Sequence, residues 1–152
     1  SMLNTVWLIV SALAFGGVLE RTGILKQILD SVLKLVKSTG DLVAATVTGG
    51  LITNMLAADQ FLAIALPGRL FCSTYDDRGL SRENLSRTLE DSATMTSALI
   101  PWNTCGAYMA ATLGVATFDY APYAIFNLVC PLIAVGFGYL TFKQKPAAPQ
   151  LA

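Results

Sequence analysis

The 152-residue chain contains no histidine, and only 13% of its residues are charged. The first absence removes imidazole metal sites, Ser-His triads and histidine proton relays. The second lies well below the roughly 25% charged residues of an ordinary soluble domain. The charge also avoids long stretches: residues 1–19, 42–58, 92–118 and 120–142 hold no Asp, Glu, Lys or Arg. Cys72, Cys105 and Cys130 are far apart and sit in or beside apolar segments. They read as small buried hydrophobes, neither a disulfide framework nor a zinc site. Net charge is zero, so electrostatics points to no nucleic-acid partner. The N-terminal stretch has no basic n-region, so it does not read as a signal peptide. No nucleophile–base pair or cofactor motif stands out, so neither an enzyme nor a cofactor is expected.

What is present is apolar sequence, with 54% hydrophobic residues and a mean hydropathy of +0.58. Crossing about 30 Å of hydrocarbon takes about 20 mostly apolar residues. Two of the charge-free stretches meet that length and two come near it. The pattern therefore predicts an all-α membrane protein, with a soluble bundle of unusual greasiness as the alternative. A first apolar helix is expected over 3–19, with Trp7 placed for a membrane interface. Residues 23–38 alternate Ile24, Leu25, Ile28, Leu29, Val32 and Leu33 with Lys26, Lys34 and Lys37, a helical period with a polar face that suits a surface helix. Residues 41–72 are too short for two spans and too long for one, and Thr53-Asn54 and Asp59-Gln60 interrupt them near the middle. A re-entrant hairpin fits, with arms of roughly 12–15 residues on that span arithmetic and a polar tip covered by protein or a water-filled cavity. A polar loop follows over 73–84, then a long helix over 85–113 broken around Pro101, which removes a backbone donor. A last helix, 121–142, contains Pro131, expected to kink it. The tail 143–152 reads as disordered.

The ten basic residues test this layout. They fall in three places, four in 21–37, four in 69–87 and two in 143–145. A re-entrant 41–72 puts all three clusters on one side, which the positive-inside rule makes cytoplasmic. A single crossing there would put 73–87 opposite 21–37. Residues 1–142 therefore read as one half of an inverted-repeat transporter, with one hairpin and one broken helix, and a first half is expected to precede them.

Candidate chemistry lies at these interruptions. Asp59 sits near the hairpin tip with Thr53, Asn54 and Gln60 close in sequence. An ionisable group inside a membrane segment marks a site by default, and Na⁺ favours the oxygen ligands that hard cations take. A carboxylate that holds either a proton or a sodium ion couples the two fluxes directly. Asp59 also reads as the cap of the second arm, and both roles can hold at once. Glu90, Asp91, Thr94 and Ser97 lead along one helical stretch to the break, and Arg87 is placed to pair with one of the two acids. Asn103 and Thr104 offer oxygens at the break, and residues 98–101 offer freed carbonyls; a simple proline kink is the alternative. Asp59 and Asp91 are the candidate Na⁺ ligands.

Three blocks carry a family likeness: TVWLIVSALAFGGVLERTG (5–23), ADQFLAIALPGRLF (58–71) and NLSRTLEDSATMTSALIPWNTCGAYMAATLGV (84–115). Each resembles the corresponding stretch of the NhaC-type sodium/proton antiporters, and the likeness covers nearly the whole chain except the tail. The resemblance implies a multi-pass protein of the cytoplasmic membrane that exchanges Na⁺ for H⁺, with two inverted repeats of which this is the C-terminal one. It implies ion-pathway positions at Thr53, Asn54, Asp59, Glu90, Asp91, Thr94, Ser97, Asn103 and Thr104. The expected partners are the lipid bilayer and the N-terminal half, without which this piece should not transport; a homodimer is also open to it. Some members of that family couple Na⁺ and H⁺ to malate and lactate, which makes an organic-anion exchanger the first rival. No Lys or Arg falls at the hairpin tip or the break to favour an anion. A non-transporting membrane subunit is the second rival.

Overall fold

A computed structural model of the chain describes residues 2–140, so the tail 143–152 lies outside the described residues. Every regular element among them is helical. The chain runs through α1 (Met2–Arg21), α2 (Ile24–Leu33), α3 (Thr39–Ala57), α4 (Gln60–Asp77) and α5 (Arg82–Leu89). A π turn (Glu90–Thr94) leads into α6 (Met95–Ser97), followed by α7 (Thr104–Leu113), α8 (Thr117–Tyr120), a 3₁₀ turn (Ala121–Tyr123) and α9 (Ile125–Leu140).

Several boundaries differ from the sequence reading, each for a local reason. The surface helix expected over 23–38 ends at Leu33, because Ser38 caps the next helix: its hydroxyl accepts from Asp41 N while Asp41 accepts from Ser38 N. That capping box starts α3 at Thr39. The two arms of the tight helix pair are 19 and 18 residues long, longer than expected, since α4 continues through Ser73–Asp77 of the supposed loop. Arg82 then donates to the Asp76 carboxylate at 2.8 Å, closing the α4–α5 turn and holding the Asp76 carboxyl below the usual carboxylate range. The last helix starts at Ile125, not 121, because Pro122 sits in the 3₁₀ turn. The 60° bend there lies at Ala124, whereas Pro131 sits inside a continuous α9.

Among the described residues, no single helix is long and apolar enough to cross a membrane. Two bent pairs reach that length and composition together: Val6–Arg21 with Ile24–Leu33, bent by 64°, and Thr117–Tyr123 with Ile125–Leu140. The first bend falls at Gly23, whose φ of 74° is left-handed backbone that favours glycine.

Helix α3 is the centre of the assembly. It packs against α9 and α4 along much of its length and also touches α1, α2 and α5. Small residues on its surface allow that crowding. A Cβ on Gly138 of α9 would come within 2.7 Å of the Val43 side chain. The cluster Leu29, Leu42, Phe71, Tyr75, Leu80, Leu85 and Leu89 closes the end of the bundle near the α4–α5 turn. Within it the Tyr75 and Thr46 hydroxyls bond to each other at 3.0 Å, so neither polar group is stranded in the core. The outer sides of α1 and α9 stay apolar and exposed, with Trp7, Phe15, Leu132 and Phe137 among them.

The end of α3 and the start of α7 are stacked along α1. Gly16 of α1 lies against the backbone of Ala57, the last residue of α3. Leu8, two turns earlier, lies beside Ala107 and Ala110 of α7. Between them the Thr104 N–H at the start of α7 donates to the Ala58 carbonyl at 3.0 Å. The turn of the helix pair and the resumption of the broken helix thus meet end to end.

Overpacking should show at the α3–α9 contact. Gly138→Val should lower stability by about 1–3 kcal/mol, while Gly136→Ala, where a Cβ meets nothing within 4 Å, should not lower it. Thermal unfolding of the two variants measures both.

Candidate functional site

The chain breaks twice at one level: once between α3 and α4, once between α6 and α7. At the first, Ala58 ends α3 in left-handed backbone, φ 54°, a conformation that costs a non-glycine residue roughly 1–2 kcal/mol. Asp59 then caps α4, its carboxylate accepting from Phe61 N at 3.2 Å. At the second, the helix opens over residues 98–103, and Asn103 caps α7, its Oδ1 accepting from Cys105 N at 3.1 Å. Strained backbone and a π turn one helix earlier are features that concentrate at functional sites.

Two buried amides join the breaks. Asn103 Nδ2 donates to Asn54 Oδ1 at 3.1 Å, and Asn54 Nδ2 donates to the Ala93 carbonyl at 2.6 Å. Both side chains are fully buried. Ala93 lies in the π turn, so Asn54 ties α3 to the irregular stretch before the break and Asn103 ties it to the stretch after. Trp102 Nε1 adds a bond to the Met55 carbonyl at 2.8 Å. Thr53, buried on the same helix, donates to the Gly49 carbonyl of its own turn.

The carbonyls freed by the break are largely taken. Asn127 Nδ2 donates to Met95 O at 2.8 Å and the Tyr120 hydroxyl to Ala98 O at 2.5 Å. Ile100 O accepts from Asn103 N at 3.1 Å, and Gly106 packs so closely on it that a Cβ would clash. Sequence reasoning proposed 98–101 as open carbonyl ligands; at Ala98 and Ile100 one lone pair already has a protein donor. Tyr120 and Asn127 were not foreseen, although Asn127 is the only amide in the charge-free stretch 120–142.

Gln60 is the hub on the other side of the turn. Its Oε1 accepts from Ser97 Oγ, before the break, at 3.1 Å, and from Cys105 Sγ, after it. Cys105 is therefore not the inert hydrophobe expected from sequence. Gln60, Thr94, Ser97, Thr104, Cys105 and Tyr108 line a cavity of about 390 Å³ with no charged side chain among its lining residues. It offers a few amide, hydroxyl and thiol groups in an otherwise apolar lining, and the oxygens among them are of the kind a hard cation takes.

The acids lie elsewhere. Asp59, adjacent to Gln60, lines a different crevice, with Glu20 and Arg69, so Thr53 and Asn54, its neighbours in sequence, are not among its lining partners. Glu90 is exposed. Asp91 is half-buried, 3.7 Å from Arg87 Nε and 3.8 Å from the Cys130 thiol that donates to it. The structure thus brings Thr94, Ser97 and Thr104 to one cavity and Asn54 and Asn103 to the joint behind it. It leaves Asp59 and Asp91 on separate sides.

The joint should be energetically coupled. Asn103→Ala removes a cap worth roughly 0.5–2 kcal/mol and also leaves the buried Asn54 Oδ1 unpaired. A double-mutant cycle of Asn54→Ala and Asn103→Ala, read by thermal unfolding, should give a coupling of about 0.5–3 kcal/mol; additivity would show the amide bond to be idle.

The family model described as the Na⁺/H⁺ antiporter family matches residues 1–142. The chain is 42% identical over 140 residues to the Na(+)/H(+) antiporter NhaC of Alkalihalophilus pseudofirmus, covering 92% of this chain and 30% of that protein. It is 37% identical over 150 residues to the arginine/ornithine antiporter ArcD of Halobacterium salinarum, covering 97% and 31%. It is 34% identical over 138 residues to the malate-2H(+)/Na(+)-lactate antiporter of Bacillus subtilis, covering 91% and 30%. The chain therefore spans about 30% of the length of the curated relatives it matches. No solved structure matches.

Proposed function

The chain belongs to the Na⁺/H⁺ antiporter family, and on that basis we propose that it is the C-terminal repeat of a multi-pass transporter exchanging Na⁺ for H⁺ across the cytoplasmic membrane. In this reading α3 and α4 form a re-entrant hairpin whose tip, Ala58-Asp59, faces the break of the second helix at mid-depth. The observation that carries it is the direct joint between the two interruptions, made by the Thr104–Ala58 backbone bond and the Asn54–Asn103 amide bond. Irregular backbone deep in an apolar chain persists only where its polar groups are satisfied or line a cavity, and both conditions hold here. Broken helices meeting near the midplane are the usual setting of transporter ion sites.

The roles divide between the two sides of the tip. Gln60, Thr94, Ser97 and Thr104 supply neutral oxygens for a partly dehydrated Na⁺. Asp59 supplies the negative charge and holds a proton when the cation is absent, so that the tip carries one or the other. Asp91, facing Arg87 and Cys130, serves as a second acid at the start of the broken helix, and Glu90 remains outside. The partner of this repeat is the remainder of the same transporter.

A second reading rests on the size of the neutral cavity. About 390 Å³ falls within the range of small-molecule sites, about 300–1,000 Å³, and exceeds what one ion needs. The malate-2H(+)/Na(+)-lactate relative gives that space an occupant class, a small carboxylate moving with Na⁺ and H⁺. The uncharged lining stands against it.

Na⁺-triggered proton movement in vesicles holding the full-length parent separates the readings. Asp59→Asn should reduce it at least tenfold while the protein still assembles. A flux requiring malate or lactate in both proteins would select the carboxylate exchanger. An Asp59→Asn protein with parental ion flux but impaired assembly would select the non-transporting subunit.

A further inference from the structure

The crevice beside Asp59 is distinct from the neutral cavity. It lies between α1 and α4, has a volume of about 250 Å³, and is lined by Gly17, Glu20, Asp59, Leu62, Ala65 and Arg69 among others. We infer that it is the water path by which a hydrated monovalent cation, or a proton, reaches Asp59 from the face that carries the basic clusters, and that Gly17 keeps it open. This rests on Asp59 being the exchanging acid.

Its course follows from the packing. At the inner end α1 touches the tip, where Gly16 lies against the Ala57 backbone and a Cβ would clash. Beyond that contact α1 and α4 run side by side without close packing. Glu20 lies one turn further along α1. Arg69 lies ten residues along α4 from Asp59, about 15 Å at 1.5 Å per residue. The mouth therefore lies at Glu20 and Arg69, toward the ends of α1 and α4 that lead into the basic clusters 21–37 and 69–87, which charge places on the cytoplasmic side. At about 30 Å³ per water, the crevice holds several waters. Two carboxylates against one guanidinium favour a cation over an anion along it.

Gly17 supplies the independent observation. It lies in the interior of α1, where glycine weakens a helix relative to alanine. Nothing among the described residues requires it, since a Cβ there meets no atom of theirs within 4 Å and its φ is not positive. Its neighbour Gly16 is a packing glycine; Gly17 is not. What its missing side chain leaves is open space in the crevice that Asp59 also lines.

The test uses the full-length parent with Gly17→Ala, Gly17→Leu and Gly17→Phe. Thermal stability in detergent should hold or rise for Gly17→Ala. Na⁺-dependent proton exchange should fall with side-chain size, at least tenfold for Gly17→Phe. Parental exchange in a folded Gly17→Phe protein would overturn the path. A second readout needs no transport: Gly17→Cys should react with a cationic impermeant thiol reagent, from the basic face only, faster than with an anionic one. The background from the native cysteines is measured on the parent, and Na⁺ should slow the reaction. Silence from both faces, as when the rest of the transporter packs on Gly17, would also overturn it. Were the parent itself to show no Na⁺-dependent exchange, the antiporter reading would fall, and labelling of Gly17→Cys would still decide whether the crevice is open to water.

Discussion

A helix that stops inside an apolar chain releases backbone groups with no water to take them, and the arrangement of this molecule follows from finding them partners. Leaving a buried polar group unpaired costs about 1–3 kcal/mol, so a six-residue opening such as 98–103 survives only if most of its groups are bonded. Asn127 takes Met95 O, Tyr120 takes Ala98 O, Asn103 N takes Ile100 O, and Thr104 N reaches Ala58 O across to the other interruption. Those donors come from α9, from α8, from the break itself and from α7. The last two helices are thus each tied to the break by a side-chain bond, while α9 packs mainly on α3.

The same constraint explains the composition of α3. Its central position leaves most of it buried, yet it carries Thr46, Thr53 and Asn54. Each hydroxyl is satisfied within its own turn, Thr46 on Leu42 O and Thr53 on Gly49 O, so the helix can be polar and central at once. Asn54 bonds outward to the π turn and to Asn103, and Thr46 also meets the Tyr75 hydroxyl of α4, whereas Thr53 bonds only within its own helix. Close approach to α9 and α4 comes from its small residues, which let backbone and aromatic side chains meet without a gap.

The turn between α3 and α4 separates two chemistries by a single residue step. Asp59 and Gln60 are adjacent, but one opens to a charged crevice along α1 and the other to an uncharged cavity along α6 and α7. A cation moving between them would exchange a carboxylate and waters for amide and hydroxyl oxygens.

Composition and period alone determined the all-helical class, the interruptions at Asp59 and near Pro101, and the grouping of the basic residues, because each is written in local residue choice: charge-free stretches, a proline with no N–H, lysines in clusters. The sequence also marked Asn54, Ser97, Asn103 and Thr104 as polar residues in apolar surroundings. It could not say which of them meet. Only the tertiary structure decided that Asn54 pairs with Asn103 across 49 positions, that Gln60 gathers Ser97 and Cys105, and that Asp59 lies beside Glu20 and Arg69 and not in that cavity. Helix ends moved for related reasons, as α4 runs on to Asp77 and meets Arg82, and α3 begins where Ser38 and Asp41 cap each other. Local propensity sets where a chain can bend; which side chains then face one another depends on the rotation and crossing of packed helices, and a linear pattern does not contain those.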